Sequence, residues 1–328
     1  MISGHEATLD AAVDVHSPGY CAQHGEGDDP ISRALVVART PCRVTVQLSL
    51  YSAYRGLLDA NRDLLDHGTL HVARFDEGGR GEWIALQAGR HGLTPQRGFA
   101  DQASVLINAR GAADVVGATR MDRPEWIAVH PVTGEVFVTL TNNSQRGEPG
   151  RPGPDAANPR ARNLFGHIIR WREDGNDAAA SRFQWDFFAL AGDPTVPGSE
   201  TRYPTADADL FGSPDGLHFD SGGLLWIQTD MSGQLMHKGD MARLGNNQML
   251  CADVSTGRIK RFMTGPRGCE ITGCVVTPDR RTLFVNIQHP GETRDEGGAE
   301  GHWPDGGTTR PRSATAVVRR RDGGMVGT

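Results

Sequence analysis

Short apolar runs punctuated by Gly- and Pro-bearing turns dominate the chain from about residue 69 onward, and long amphipathic stretches are scarce. Runs of this kind predict strands. The segment Met121 to Leu140, MDRPEWIAVHPVTGEVFVTL, sets a pattern: an acid ends a Pro- or Gly-containing turn, a short apolar strand follows, then a turn, then a second strand carrying an aromatic. The pattern recurs as SPDGLHFDSGGLLWIQT from Ser213 and as GCEITGCVVTPDRRTLFVNI from Gly268. Glu125, Asp215 and Glu270 head the first strands of the three copies. A repeated unit of strands with an acid at its head predicts an all-β fold, a β-propeller feeding ligands to a central channel.

In the first unit the predicted strands are Trp126 to His130, Glu135 to Leu140, His167 to Trp171 and Phe183 to Leu190. The second has Gly216 to Phe219, Leu224 to Thr229, Gln248 to Ala252 and Arg258 to Met263. The third has Ile271 to Val276, Thr282 to Ile287 and Ala314 to Arg319. Earlier, Thr69 to Phe75 and Glu82 to Leu86 predict a hairpin turned by DEGGRG, whose glycines supply positive φ. Arg43 to Tyr54 alternates like a strand, and ANRDLLD, within Asp59 to Asp66, reads as a short turn or helix. One inserted helix is predicted from about Gln96 to Val116, with Phe99, Ala103, Leu106, Ala109, Ala113 and Val116 on its apolar face and Gly117 as its C-terminal stop. These elements amount to about three and a half blades, fewer than the roughly four to eight that close a propeller. The expected organisation is therefore an unassigned segment, residues 1–55, followed by a partial propeller over 56–328.

If the first strand of each unit is innermost, the acid-bearing turns and the long loops 141–166, 230–247 and 288–313 share one rim. Three carboxylates at a channel mouth repel one another unless a cation neutralises them. Oxygen ligands suit Ca²⁺, Mg²⁺, Mn²⁺ or Fe³⁺. The bland alternative is that each acid caps its turn or pairs with a nearby arginine, Arg123 for Glu125 and Arg267 for Glu270. Those arginines also offer planar forks that match phosphate oxygens, so metal ligands and cations on one rim suggest phosphoryl chemistry. Asn142, Asn143, Asn246 and Asn247 sit where side-chain carbonyls could complete a Ca²⁺ shell, though Asn is also an ordinary turn former. His130, His167 and His289 read as satisfied polar residues, because no histidine spacing matches a metal motif.

Composition narrows the reading. A net charge of -6 and the lack of a basic aromatic stripe argue against a nucleic-acid partner. No apolar run approaches the roughly 20 residues of a membrane span. The first residues show neither a basic nor an apolar signal region, so no signal peptide is expected in the chain as it stands. Five cysteines, at 21, 42, 251, 269 and 274, have no metal-motif spacing and imply no disulfide framework, and Cys269 and Cys274 read as small buried residues.

Several runs resemble the PhoX-type alkaline phosphatases: LLDHGTLHVARF, GFADQASVLINARGAADVVGATRMDRPEWIAVHP, TLTNN with NLFGHIIRWRE, FGSPDGLHFD, GNNQML and TGPRGCEITGCVVTPDRRTLFVNIQHPGE. They cover about residues 57 to 328. The resemblance implies a six-bladed propeller holding iron (Fe³⁺) and Ca²⁺, hydrolysis of phosphate monoesters, and twin-arginine export to the periplasm. It also implies metal ligation by Glu125, Glu270 and Asp215 and phosphate contacts from Arg123 and Arg267. The family's N-terminal half has no counterpart here, including a Thr-Cys-Glu-Glu run whose cysteine bridges the irons; Cys21 and Cys42 stand in no comparable context. The chain is therefore expected to be a C-terminal portion that lacks the complete iron site, whose activity alone is left open and whose open sheet edges allow self-association. Two other readings remain at this point: a Ca²⁺-dependent lactonase or sugar-ester hydrolase propeller, and a non-catalytic propeller serving as a binding surface.

Overall fold

The computed structural model describes residues 31–38, 44–51, 68–292 and 301–328. The expected turn or helix at 59–66, and Cys21 and Cys42, lie outside them. The strands form antiparallel sheets, and the chain divides into two compact units. The first runs to Pro124 and includes Asp155–Pro159 and Trp171–Trp185; the second holds Glu125–Pro154, Arg160–Arg170 and Asp186–Thr328.

In the first unit, β1 (Ile31–Ala38) and β2 (Val44–Tyr51) pair antiparallel. The expected hairpin is present as β3 (His71–Asp76) and β4 (Arg80–Ala85), in register from His71 opposite Ala85 to Asp76 opposite Arg80. Gly78 and Gly79 have φ of 82° and 77°, which a tight connection demands and a side chain would resist. Beyond β4, residues 182–184 of β8 (Arg182–Leu190) add a further strand, with Gly81 opposite Phe183. Phe75 meets the rings of Trp171, Phe183 and Trp185 edge-on at 6.3, 5.1 and 5.3 Å, geometry that adds to simple burial.

The single helix expected over 96–116 is instead three pieces. A 3₁₀ turn, Pro95–Arg97, stops at Gly98 (φ 88°). Helix α1 (Gln102–Ile107) then starts from a capping box in which the Asp101 carboxylate accepts from the Ser104 amide and the Ser104 hydroxyl accepts from the Asp101 amide. Asn108, at φ -108° and ψ 46°, ends α1, and its side chain caps α2 (Ala109–Val116) by accepting from the Gly111 amide. The break rotates the apolar face: Phe99, Val105, Ala112, Ala113 and Val116 pack on Val72, Ile84, Leu86 and Leu93. Ala103 and Leu106, expected inside, are exposed. Apolar periodicity ran through the break because Asn108 is a poor helix interior residue but a good cap. Gly117, at φ 79°, ends α2 as expected.

The second unit follows the sequence closely. Strands β5 (Pro124–Val129) and β6 (Val136–Leu140) are followed by residues 167–170 of β7 (His167–Glu173) and 186–190 of β8, in the order β8-β7-β6-β5. Next come β9 (Pro214–Phe219), β10 (Leu224–Thr229), β11 (Gln248–Asp253) and β12 (Arg258–Thr264), in the order β12-β11-β10-β9. Last are β13 (Glu270–Val276), β14 (Thr282–Gln288) and β15 (Ala314–Arg319), in sequence order. Each acid-bearing strand, β5, β9 or β13, is terminal in this order.

Two layers of core hold these sheets together. Phe137, Ile168 and Phe188 pack with Leu217, Leu225, Ile227, Leu250 and Ile259. On the opposite face of β10, Trp226 joins Met249, Ile271, Leu283, Val285 and Ile287. Strand β10 is thus buried on both faces, which explains why LLWIQT lacks polar alternation. Burying a large apolar side chain of this kind contributes about 1.5–3 kcal/mol.

Candidate metal centre

Two residues before each acid the chain takes a left-handed step: φ is 49° at Arg123, 52° at Ser213 and 69° at Gly268. The sequences Arg-Pro-Glu, Ser-Pro-Asp and Gly-Cys-Glu therefore share one backbone device that turns the chain into its strand and presents the following acid. Only the glycine adopts this φ without strain; for Arg123 and Ser213 it costs about 1–3 kcal/mol each. Such strain persists only where packing and hydrogen bonds over-determine it. At Ser213 the amide donates to the Phe165 carbonyl (2.7 Å), and the Ser213 carbonyl accepts from the Asp230 amide (2.9 Å).

That last hydrogen bond brings in a residue that sequence reading missed. Asp230 follows β10 directly, and one oxygen each of Asp215, Asp230 and Glu270 lie within 4.8 Å of one another. Asp215 is buried, while Asp230 and Glu270 are half-buried. Asp230 heads no repeat, so no pattern marked it; its only sequence signal was its place at the start of the 230–247 loop. Glu125 is not among the acids that converge here, although it occupies the same backbone position in its own repeat.

Two buried polar side chains set the positions of these acids. Thr139 on β6 accepts from the Trp126 amide (3.0 Å) and donates to the Asp215 carbonyl (2.6 Å), tying β5 and β9 together. Asn247, 1% exposed, joins the turns that carry the other two acids. Its Oδ1 accepts from the Thr229 hydroxyl (2.8 Å) and the Met231 amide (2.7 Å). Its Nδ2 donates to the carbonyls of Met231 and Cys269, both at 2.9 Å. Asp230 precedes Met231 and Glu270 follows Cys269, so one amide holds both ends of the cluster. The Asn247 carbonyl considered as a Ca²⁺ ligand is thus engaged within the protein. Asn246 is likewise engaged, with the Gly265 carbonyl and the His237 ring.

Crowding of carboxylates shows in the electrostatics. Burial, reinforced by the charge of Asp230, pushes the Glu270 carboxyl up to about 7. His289 (Nε2 3.5 Å) and a hydrogen bond with Asp215 partly offset this, and the Gln288 amide also donates to the Glu270 carboxylate (3.2 Å). His289 was read as a merely satisfied polar residue. It is satisfied by two carboxylates, Glu270 and, through Nδ1 at 2.9 Å, Glu292, which gives it a place beside the cluster. His130 and His167 fit the plainer reading: His130 Nδ1 accepts from two turn amides, and His167 meets Asn163. Cys269 and Cys274 are buried as expected, and burial pushes the Cys269 thiol up to about 12, so it stays protonated and inert. Three carboxylates with only oxygen donors form a set that could hold a hard divalent cation.

A sequence model of the family described as "Alkaline phosphatase PhoX" matches residues 51–291. The chain belongs to the PhoX alkaline phosphatase family. Among solved structures it is similar to Pseudomonas fluorescens PhoX in complex with vanadate, a transition-state analogue, with 47% identity and a TM-score of 0.81. That match covers 92% of this chain and 53% of the other, so the chain spans about half the length of this PhoX. A superposition on the polysaccharide lyase Uly1 covers 81% of this chain and 50% of that one at 10% identity, but its TM-score of 0.30 carries no argument. No curated protein sequence matches the chain. The Arg-Pro-Glu, Ser-Pro-Asp and Gly-Cys-Glu turns and Asp230 all lie within the matched residues.

Proposed function

We propose that this chain contributes the metal- and phosphate-binding part of a phosphatase acting on phosphate monoesters. The observation that carries the reading is the convergence of Asp215, Asp230 and Glu270, two of them at equivalent repeat positions, in a chain of the PhoX family. The vanadate bound by the Pseudomonas fluorescens relative supports phosphoryl transfer as the reaction. In this reading Asp215, Asp230 and Glu270 hold Ca²⁺, which when bound would neutralise phosphate charge and polarise phosphoryl oxygens. Glu125 is proposed to serve a second ion, for which Fe³⁺ is the candidate. Arg123 and Arg267 contact phosphate oxygens and stabilise the charge that builds on them in the transition state. Asn247, Thr139 and His289 hold the carboxylates in place. The sheets are proposed to be blades of a six-bladed propeller, with residues 56–328 supplying part of the ring. Val275, Phe284 and Val317 are opposite one another across β13–β15 and exposed, and this face is proposed to allow self-association.

The test is hydrolysis of p-nitrophenyl phosphate by the purified chain with Ca²⁺ and Fe³⁺ supplied, then with chelator. Chelator-sensitive turnover that disappears in Glu125→Ala and Glu270→Gln is expected. A folded, metal-loaded chain with no turnover would overturn activity for this chain by itself.

Arg123 allows a sharper test. The φ of 49° that strains arginine suits glycine, so Arg123→Gly relieves backbone strain while removing the guanidinium. The expected result is a thermal midpoint changed little and kcat/KM lowered by about 100-fold or more. A matching collapse of stability would make Arg123 a structural residue.

A further inference from the structure

We propose that a cavity of about 450 Å³ bounded by Pro266, Arg267, Pro290, Gly291, Gly301 and Trp303 receives the ester's leaving group, and that it selects a flat aromatic or heteroaromatic ring. This inference rests on the phosphatase reading and names its substrate class.

The cavity shares the Arg267–Glu270 turn with the acid cluster, and its second turn carries His289, which meets Glu270. Arg267 lies three residues before Glu270, and Pro290 follows His289, whose ring meets Glu270. The turns are pressed together: the Gly291 amide donates to the Arg267 carbonyl (2.8 Å), and a Cβ on Gly268 would lie 2.8 Å from the Glu292 carbonyl oxygen. A phosphoryl group at the carboxylates would therefore have its ester substituent beside these turns. The volume falls in the range that encloses a small ring-bearing group, roughly 300–1,000 Å³ for ligand pockets in general.

The lining decides the class. Trp303 is the aromatic wall; it is half-buried, packed on the core that contains Trp226, Ile271 and Leu283. Its loop is closed by hydrogen bonds from the Arg312 amide to the Trp303 carbonyl (3.1 Å) and from the Gly306 amide to the His302 carbonyl (2.6 Å). A ring held in this way offers a stacking face at little entropic cost. Arg267 supplies positive charge at the same wall and attracts the anionic ester. Among the described residues, proline and glycine make up the remaining walls and bring no side-chain hydrogen-bonding groups, so they read a ring's flatness rather than its substituents. Aryl phosphates and nucleotides share that chemistry; glycerol phosphate lacks it.

Equilibrium binding tests the cavity separately from turnover. With Ca²⁺ present, calorimetry on the purified chain should show phenylphosphonate binding about tenfold more tightly than methylphosphonate, the scale of one stacking contact. Trp303→Leu, which keeps apolar volume, should erase the difference without moving methylphosphonate affinity by more than about twofold, and Trp303→Phe should restore most of it. Equal affinities in the unaltered protein, or a preference that survives Trp303→Leu, would overturn the proposal. So would equal weakening of both ligands. Adenosine 5′-phosphate competing less well than phenyl phosphate would assign the cavity to simple aryl esters, and the reverse order to nucleotides. Hydrolysis of glycerol phosphate probes the phosphatase reading alone: ring preference without any hydrolysis would overturn that reading and leave the cavity assignment in place.

Discussion

The metal-free chain is expected to lose stability as pH rises from about 5 to about 8, and Ca²⁺ is expected to restore it. Burial and the neighbouring Asp230 charge raise the Glu270 carboxyl from an ordinary 4.5 to about 7. The folded state therefore binds a proton more tightly than the unfolded chain does. That contribution is complete below the ordinary carboxylate value and is lost as pH rises through about 7. A shift of this size corresponds to about 3 kcal/mol, and the Glu270 side chain, 14% exposed, is shielded enough to keep much of it. The groups facing Glu270 are Asp215, Asp230, His289 and Gln288. A cation bound by the carboxylates replaces the proton and stabilises the folded state most where the proton is absent. Urea unfolding at the two pH values, with chelator and then with Ca²⁺, measures both effects. In Glu270→Gln the pH slope should flatten and the Ca²⁺ effect should largely vanish. An unchanged slope in that variant would place the titration elsewhere, and undiminished Ca²⁺ stabilisation would place the cation elsewhere.

Replacing Asn247 is expected to be among the most damaging single changes to the second unit. Asn247→Ala removes four hydrogen bonds at once. It also leaves the Thr229 hydroxyl, the Met231 amide and the carbonyls of Met231 and Cys269 without this partner in a buried site. Each net bond is worth about 1 kcal/mol and a buried group left unsatisfied costs about 1–3 kcal/mol, so a loss of about 4 kcal/mol is expected after relaxation. Asn247→Asp is nearly isosteric yet loses both donors and sets a carboxylate against two carbonyls, so it should be at least as harmful. Because the same amide holds the Asp230 and Glu270 turns, Ca²⁺ affinity in variants that still fold should fall by about tenfold or more. Denaturant unfolding and calorimetric Ca²⁺ titration give the two readouts. Asn247→Asp with stability and Ca²⁺ affinity close to the unaltered protein would remove Asn247 from its positioning role.

How much was legible in advance differs from element to element. The strands of the second unit could be read because their signal is local: each apolar run is short and bounded by turn residues. Leu224–Thr229 and Ala314–Arg319 begin and end where their patterns do. The helical segment was misread because apolar spacing alone does not register a cap. Asp101 and Asn108 carry that information through hydrogen bonds to backbone amides, and the cost was Ala103 and Leu106 placed inside and Val105 overlooked.

The acids divide in the same way. Repetition along the chain marked Glu125, Asp215 and Glu270 and the turns before them, because a backbone device reused three times leaves a similar trace in each copy. It could not say which of these acids meet. Asp230 joined the cluster because the Ser213 carbonyl catches the Asp230 amide and Asn247 ties the turn after β10 to the turn before β13. These bonds join residues 16 to 22 positions apart, across three strands, and depend on sheet packing that no local pattern encodes. Strand positions and the repeated acids were determined by the sequence; the convergence of Asp215, Asp230 and Glu270, and the pushed-up Glu270 carboxyl that follows from it, were decided by the tertiary structure, because charge interaction depends on separation in space and on exclusion of water.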